Sequence, residues 1–198
     1  MSIEERQREI SEYLKGDIER MFAERTSQTM EYLRAHKAEI LQSLTAAVKS
    51  ASAAVQPLIE CGRKQIVRYA QFSFLLSGAV NRELQLKIDF YDTRYYADIT
   101  ESGGYWDYSV LFPFVDEDMN ELHGKLRNKF QRIREYELLD IRLVYYIGVF
   151  AIMEMALTEL AAEDAFADAF TEVFEPEIYV LFGAYHDQSK LIAKVKRR

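Results

Sequence analysis

Cysteine is almost missing from this chain. Cys61 stands alone, so no disulfide can form within the chain and a fold held by disulfide staples is excluded. Cys61 has Arg63 and Lys64 near it, which is too little to mark a reactive thiol. Proline is rare, and none precedes Pro57, so a long opening stretch carries no backbone breaker of that kind. Histidine is as sparse. His36, His123 and His186 follow Leu33, Asn120 and Gly183 at three positions' distance, which excludes the Glu-x-x-His pairs of a di-iron helical bundle. HExxH, CxxC and calcium-loop spacings do not occur. Glycine-rich phosphate loops and the GxSxG elbow are missing too. No cofactor and no metal is expected.

Positive charge is absent from one long segment. Between Leu143 and Ser189 there is no Lys or Arg, while nine acids fall there, and this segment outweighs the +2 of the remainder to give the net charge of −7. Nucleic acid is disfavoured as a partner by that balance. The sequence then closes KLIAKVKRR, with five bases in nine residues. An acidic face and a basic tail can pair within one chain or between copies. The opening MSIEERQREI is charged from residue 4 and does not read as a signal peptide, and a cytoplasmic protein is expected. The eleven apolar residues from Leu143 to Met153 fall short of a membrane span, with Asp140, Arg142 and Glu154 close by, so no transmembrane segment is expected and a helix buried on all sides is.

Periodicity supplies the fold class. Ile3, Ile10, Leu14, Ile18 and Met21 form one helical stripe. Leu33, Ile40, Leu44, Ala47, Ala51 and Leu58 form another, close to a 3.5-residue repeat. The two are out of phase across Phe22 to Met30, which reads as one long helix with a stutter or as a helix pair joined near ERTSQT. The period then changes to two. Ala70, Phe72, Phe74 and Leu76 share a strand face, as do Leu84, Leu86, Ile88 and Phe90. "RYYADIT" and "YWDYSVLF" flank Glu101-Ser102-Gly103-Gly104 and read as a hairpin whose turn uses the glycines. After Pro113, Asp118 with Glu121 is read as a helix start, with a stripe from Leu122 to Ile147. A last helix is read from about Glu177 to Val195. The expected fold is α+β and mostly helical, with a small antiparallel meander over about 66–113 and a C-terminal helical bundle. Residues 1–60 form a helical arm that packs on the domain or on a second subunit, and 61–198 form a single α+β domain.

The candidate site is the stretch FYDTRYYADITESGGYWDYSVLF, residues 90–112, with five of the chain's 13 tyrosines and its one tryptophan. Cross-strand aromatic pairs account for much of it as sheet chemistry. Its functional candidates are Arg94, Tyr96, Asp98, Tyr105, Trp106 and Asp107, for a partner protein or a small polar ligand. A second group is Asp140, Arg142 and Glu154, charges beside an apolar helix, read as a packing pair or as an acid at a cavity. Two functions stay open. One is a non-enzymatic binding or assembly protein, a homodimer through its N-terminal helices, with the tyrosine-rich hairpin as contact surface. The other is an enzyme acting on a small molecule with Asp, Tyr and Arg side chains, with or without a divalent metal. The two differ in whether Asp92, Asp98, Asp107 and Glu154 converge.

Overall fold

Two helices open the chain. The computed structural model describes residues 2–170 and 173–197. Glu172 of the acidic segment and Arg198 of the basic tail lie outside the described residues. Ser2 caps α1 (Ile3–Ala35): its hydroxyl accepts from the Glu5 N–H at 3.1 Å, and the Glu5 carboxylate accepts from the Ser2 N–H at 2.6 Å. The helix runs through ERTSQT without a break. The junction with α2 (Lys37–Ala53) falls at His36, at φ −115° and ψ 22°. Pro57 then occupies the first turn of the short α3 (Gln56–Glu60).

The meander forms from β1 (Val67–Phe74), β2 (Gln85–Tyr91) and β3 (Gly103–Asp107), antiparallel in that order, with a short α4 (Leu76–Asn81) between the first two. The hairpin expected over 94–112 is different. Residues 94–100 are not a strand but an irregular segment with one 3₁₀ turn at Tyr95–Ala97. The reason is competition for backbone groups. The Asp92 carboxylate accepts from the Arg94 N–H at 2.8 Å, and the Asp98 carboxylate accepts from the N–H groups of Asp92 and Thr100, each at 3.1 Å. Aspartates placed so offer the chain turns instead of a ladder. The two glycines are not the turn. They lie in β3, where a Cβ on Gly103 would come within 1.9 Å of the Ile88 carbonyl oxygen.

The helix expected from Asp118 through Ile147 is two helices. These are α5 (Val115–Lys129) and α6 (Glu135–Ala161), separated by a loop in which Arg132 takes φ +56°. Asp118 caps nothing, because it lies inside α5 with its side chain buried. After a single turn, α7 (Asp164–Ala167), the last expected helix is instead a hairpin, β4 (Phe174–Ala184) and β5 (Ser189–Lys196). Ile178, Val180 and Phe182 alternate inward there, a period of two that competes with a helical reading of the same apolar residues. β4 pairs with β1 in parallel, so the sheet is mixed, in the order β3-β2-β1-β4-β5.

The helices cover one face of this sheet. Phe74 stacks on Phe150 of α6 at 4.1 Å between centroids, and the Trp106 indole N–H donates to Ser43 Oγ of α2 at 3.2 Å. Ala70, Phe72, Leu86, Ile88, Phe90, Val180 and Phe182 complete that apolar layer. α1 packs on α6, where Gly148 leaves room for the Phe22 ring. Arg25 and the Tyr145 hydroxyl both donate to Asp118, at 2.7 and 2.5 Å, and the Arg6 guanidinium pairs with Glu137, so the buried acids of this layer are matched. α6 is not buried on all sides: Val144, Ile147 and Met155 are about half exposed. It is the one helix among the described residues long and apolar enough to cross a membrane, with mean hydropathy 1.6 over 18 residues. Half of that stretch is buried against the rest of the chain, as in a core helix.

Candidate functional site

The other face of the sheet carries the polar alternates of the same strands. β1 contributes Tyr69, Gln71 and Ser73, and β2 sets Tyr91, Asp89 and Lys87 directly opposite them. On the far side of β1, Tyr179 lies opposite Tyr69. Among the described residues, no α-helix covers this layer. The irregular segment after β2 folds over it and brings Tyr95 and Tyr96, while the β4–β5 turn brings Tyr185, His186 and Ser189. The Tyr95 hydroxyl donates to Gln71 Oε1 at 3.1 Å, Gln71 Nε2 donates to Ser189 Oγ at 2.8 Å, and the Tyr96 hydroxyl donates to the Asp187 carbonyl at 3.0 Å. Rings meet at 4.1 Å for Tyr95 and Tyr96 and 5.5 Å for Tyr91 and Tyr96. Tyr185 stands 4.0 Å from His186. The cluster is held by hydroxyl hydrogen bonds at its base and by ring contacts at its rim.

Two recesses open in this layer. One, of about 210 Å³, is lined by Asp89, Tyr91, Tyr96, Glu101, Tyr185 and His186 among others. The second, of about 290 Å³, includes Lys87, Asp89, Glu101, Ser102 and Tyr105. Asp89 belongs to both. Its side chain is 7% exposed, and Lys87 Nζ lies 3.3 Å from Oδ1 and donates to the Tyr185 hydroxyl at 2.7 Å. Oδ2 is fully buried and has no hydrogen-bond partner among the described residues. Burial pushes the Asp89 carboxyl above the usual carboxylate range, against the pull of Lys87 and His186, and the charge of Glu101 adds to the rise. Burial opposes the charge on Lys87, but the Tyr185 hydroxyl and Asp89 outweigh it and hold the ammonium above its ordinary value. Burial likewise raises the Tyr91 hydroxyl, which stays protonated.

The residues singled out by sequence divide. Tyr96 is in the site, and Tyr105 stands exposed at the rim of the second recess. Asp98 touches the first recess but is satisfied: it pairs with Lys64, both side chains being fully buried. Arg94 is occupied by Asp92, with Nη2 2.5 Å from Oδ2. Trp106 lies on the opposite, helix-covered face, and Asp107 is an exposed acceptor for the Ser109 N–H at 2.8 Å. Asp92, Asp98, Asp107 and Glu154 therefore do not converge: the first two share a loop, and Glu154 pairs with Lys190 of β5. The basic tail meets the acidic segment within one chain there. Asp140 and Arg142 form no ion pair. Asp140 accepts from Gln7 Nε2 at 2.8 Å, and Arg142 reaches the Ala79 carbonyl at 3.4 Å. Positions two apart on a helix point in different directions.

Asp89, Lys87, Tyr185 and His186 are functional candidates that sequence reasoning passed over. A signal was present for the first two: a Lys and an Asp two apart inside an otherwise apolar strand are a costly pair to bury without use. For the last two none was, because the β4–β5 turn reaches the site only through the parallel pairing with β1. Among the described residues, no group of three His, Cys, Asp or Glu side chains is arranged to hold a metal ion. No protein-family model, no curated protein and no solved structure matches this chain.

Proposed function

We propose that this chain is an intracellular, non-enzymatic binding protein whose contact surface is the tyrosine-rich layer on the helix-free face of the sheet. The observation that carries this reading is Asp89 Oδ2, a buried acceptor without a donor at the wall shared by two recesses. A buried polar atom left unmatched is costly to the fold, and a ligand bearing N–H groups supplies what it lacks. Tyr91 and Tyr96 set aromatic rings beside it, while Lys87 already covers the Tyr185 ring, and this setting favours a small polar ligand carrying an ammonium group. The test is ligand-observed NMR on the full chain with ethanolamine, methylamine and acetate at equal ionic strength. The ammonium compounds are expected to bind saturably and acetate not to bind. Asp89→Asn, folded by circular dichroism, is expected to lose at least about tenfold in affinity. Equal binding by the variant, or preference for acetate, would overturn the reading.

The enzymatic alternative uses the same Asp89 as a proton acceptor, helped by its raised pKa. Recovery of every bound compound unchanged after prolonged incubation counts against it. Self-association is a second aspect of the binding reading. Val144, Ile147, Ala151 and Met155 recur at helical spacing on the exposed side of α6, beside α1, and a second copy of the chain is the partner proposed for them.

A further inference from the structure

A third recess, of about 220 Å³, shares no residue with the tyrosine site. It lies where the end of α4 meets the first turns of α5 and the N-terminal half of α6, and it is lined by Arg82, Asp116, Asn120, His123, Arg142 and Tyr146 among others. Arg82 ends α4 in the left-handed region at φ +61°. Arg142 rises from α6, with one long hydrogen bond of 3.4 Å to the Ala79 carbonyl. Among the described residues, no carboxylate lies within ion-pair distance of Arg82, Arg142 or the neighbouring Arg127. Arg82 and Arg142 thus bring two positive charges to one recess, and neither has an ion-pair partner among the described residues.

His123 sits among them. Its Nε2 is buried and has no hydrogen-bond partner among the described residues. Burial depresses its imidazole below the ordinary value, and the charges of Arg142, Arg127 and Arg82 depress it further, while a hydrogen bond with the Leu138 backbone acts the other way. The acid that lines this recess is Asp116, and the Tyr146 hydroxyl feels both its charge and those of Arg82 and Arg142.

We propose that this recess binds a phosphate group, held by the guanidinium forks of Arg82 and Arg142, with His123 Nε2 becoming a third donor when the bound anion protonates the ring. Guanidinium forks match the oxygen spacing of phosphate, and the two of them outweigh the one carboxylate of the recess, which leaves it net positive and favours an anion. The volume admits a phosphate with a few attached atoms, so the ligand class is inorganic phosphate or a small phosphate monoester. Binding places negative charge beside His123 and must raise its pKa.

The experiment is an NMR pH titration of His123 in the full chain, with sodium phosphate, glycerol phosphate and sodium acetate compared at one ionic strength. Phosphate or its ester is expected to move the His123 midpoint upward with saturation, and acetate is not. Tighter binding of the ester identifies the monoester as the ligand, and equal binding identifies the free ion. Arg82→Asn keeps a side chain that tolerates the left-handed backbone, and is expected to weaken binding about tenfold or more. Asp116→Asn is expected to tighten it. The proposal is overturned if acetate shifts His123 as phosphate does, or if Arg82→Asn leaves phosphate affinity unchanged in a protein that retains its fold.

Discussion

Asp89 and Glu137 are both almost wholly buried acids, and their surroundings treat them oppositely. Burial works against Glu137, yet the Arg6 guanidinium and the Arg134 N–H, donating at 2.8 Å, outweigh it and hold the carboxyl below its usual range. Its stabilising contribution is therefore present above the unfolded-state pKa and is lost as pH falls through the lowered folded value. Asp89 is raised, so its sign is reversed. Folding favours its protonated form, and the carboxylate weakens the fold increasingly as pH rises from the unfolded-state pKa to the raised folded one. Asp89→Asn is accordingly expected to stabilise the protein at pH 7, by about 1 kcal/mol, with the gain shrinking near pH 4. Glu137→Gln is expected to destabilise at pH 7 and to cost less as pH falls. Urea denaturation at the two pH values checks both signs. A substitution that strengthens the fold while abolishing ligand binding is the mark of a residue kept for function. At this scale the sequence was partly legible. Tyr96 could be read from composition, because tyrosines crowd around it. Asp98 and Arg94 could not be dismissed, because the partners that occupy them, Lys64 and Asp92, are set by a loop conformation that residue types alone do not specify.

At the scale of elements, the pairing of β2 with β3 depends on a side chain that is absent. Gly103 lies directly opposite Asp89, and a Cβ there would meet the Ile88 carbonyl oxygen, a backbone atom that cannot swing aside. Gly103→Ala is expected to destabilise by about 3 kcal/mol or more, measured by thermal or chemical denaturation. Gly104→Ala, where the added atom would come 3.1 Å from the Ala51 side chain, is expected to cost less. This reverses the expectation drawn from the pair of glycines, which read as a turn because turns are where glycine is commonest. The helical character of α1 and α2 was legible because a stripe repeated over many turns admits few other readings, and Ser2 with Glu5 marked the start of α1; the joint at His36 and the break between α5 and α6 were not, because the apolar spacing runs on across both. The β4–β5 hairpin was not. Its outward positions Tyr179, Leu181 and Leu191 are apolar enough to blur the alternation that identifies a strand.

For the molecule as a whole, the N-terminal helices have spent most of their apolar surface within the chain. Ile10, Leu14, Met21 and Leu33 are buried, and Ile3, Tyr13 and Tyr32 are the larger apolar side chains that α1 leaves exposed. A second copy would then meet the exposed side of α6, with α1 alongside. Light scattering is expected to give the mass of a dimer, and Ile147→Glu, on a residue 58% exposed, is expected to give a monomer of unchanged helicity. A monomeric full chain at about 100 µM, well above the range of ordinary specific association, would remove this idea. The α+β, mostly helical character was legible because it sums many local preferences. The mixed sheet was not, because the pairing of β1 with β4 joins segments that carry no local sign of one another.

That pairing also has a consequence in time. β1 lies in the middle of the sheet, yet its partner on one side, β4, begins about a hundred residues later, an interval of roughly 5–20 s of translation at ordinary speeds. Until β4 emerges, the nascent meander presents the bare edge of Val67–Phe74, and for the first part of that time its apolar face also lacks α6, which ends at Ala161. An edge of that composition is a ready template for strands of other chains. The newborn polypeptide thus passes through a window in which its central strand is open on one side, and the order of synthesis, not the finished fold, sets how long that lasts.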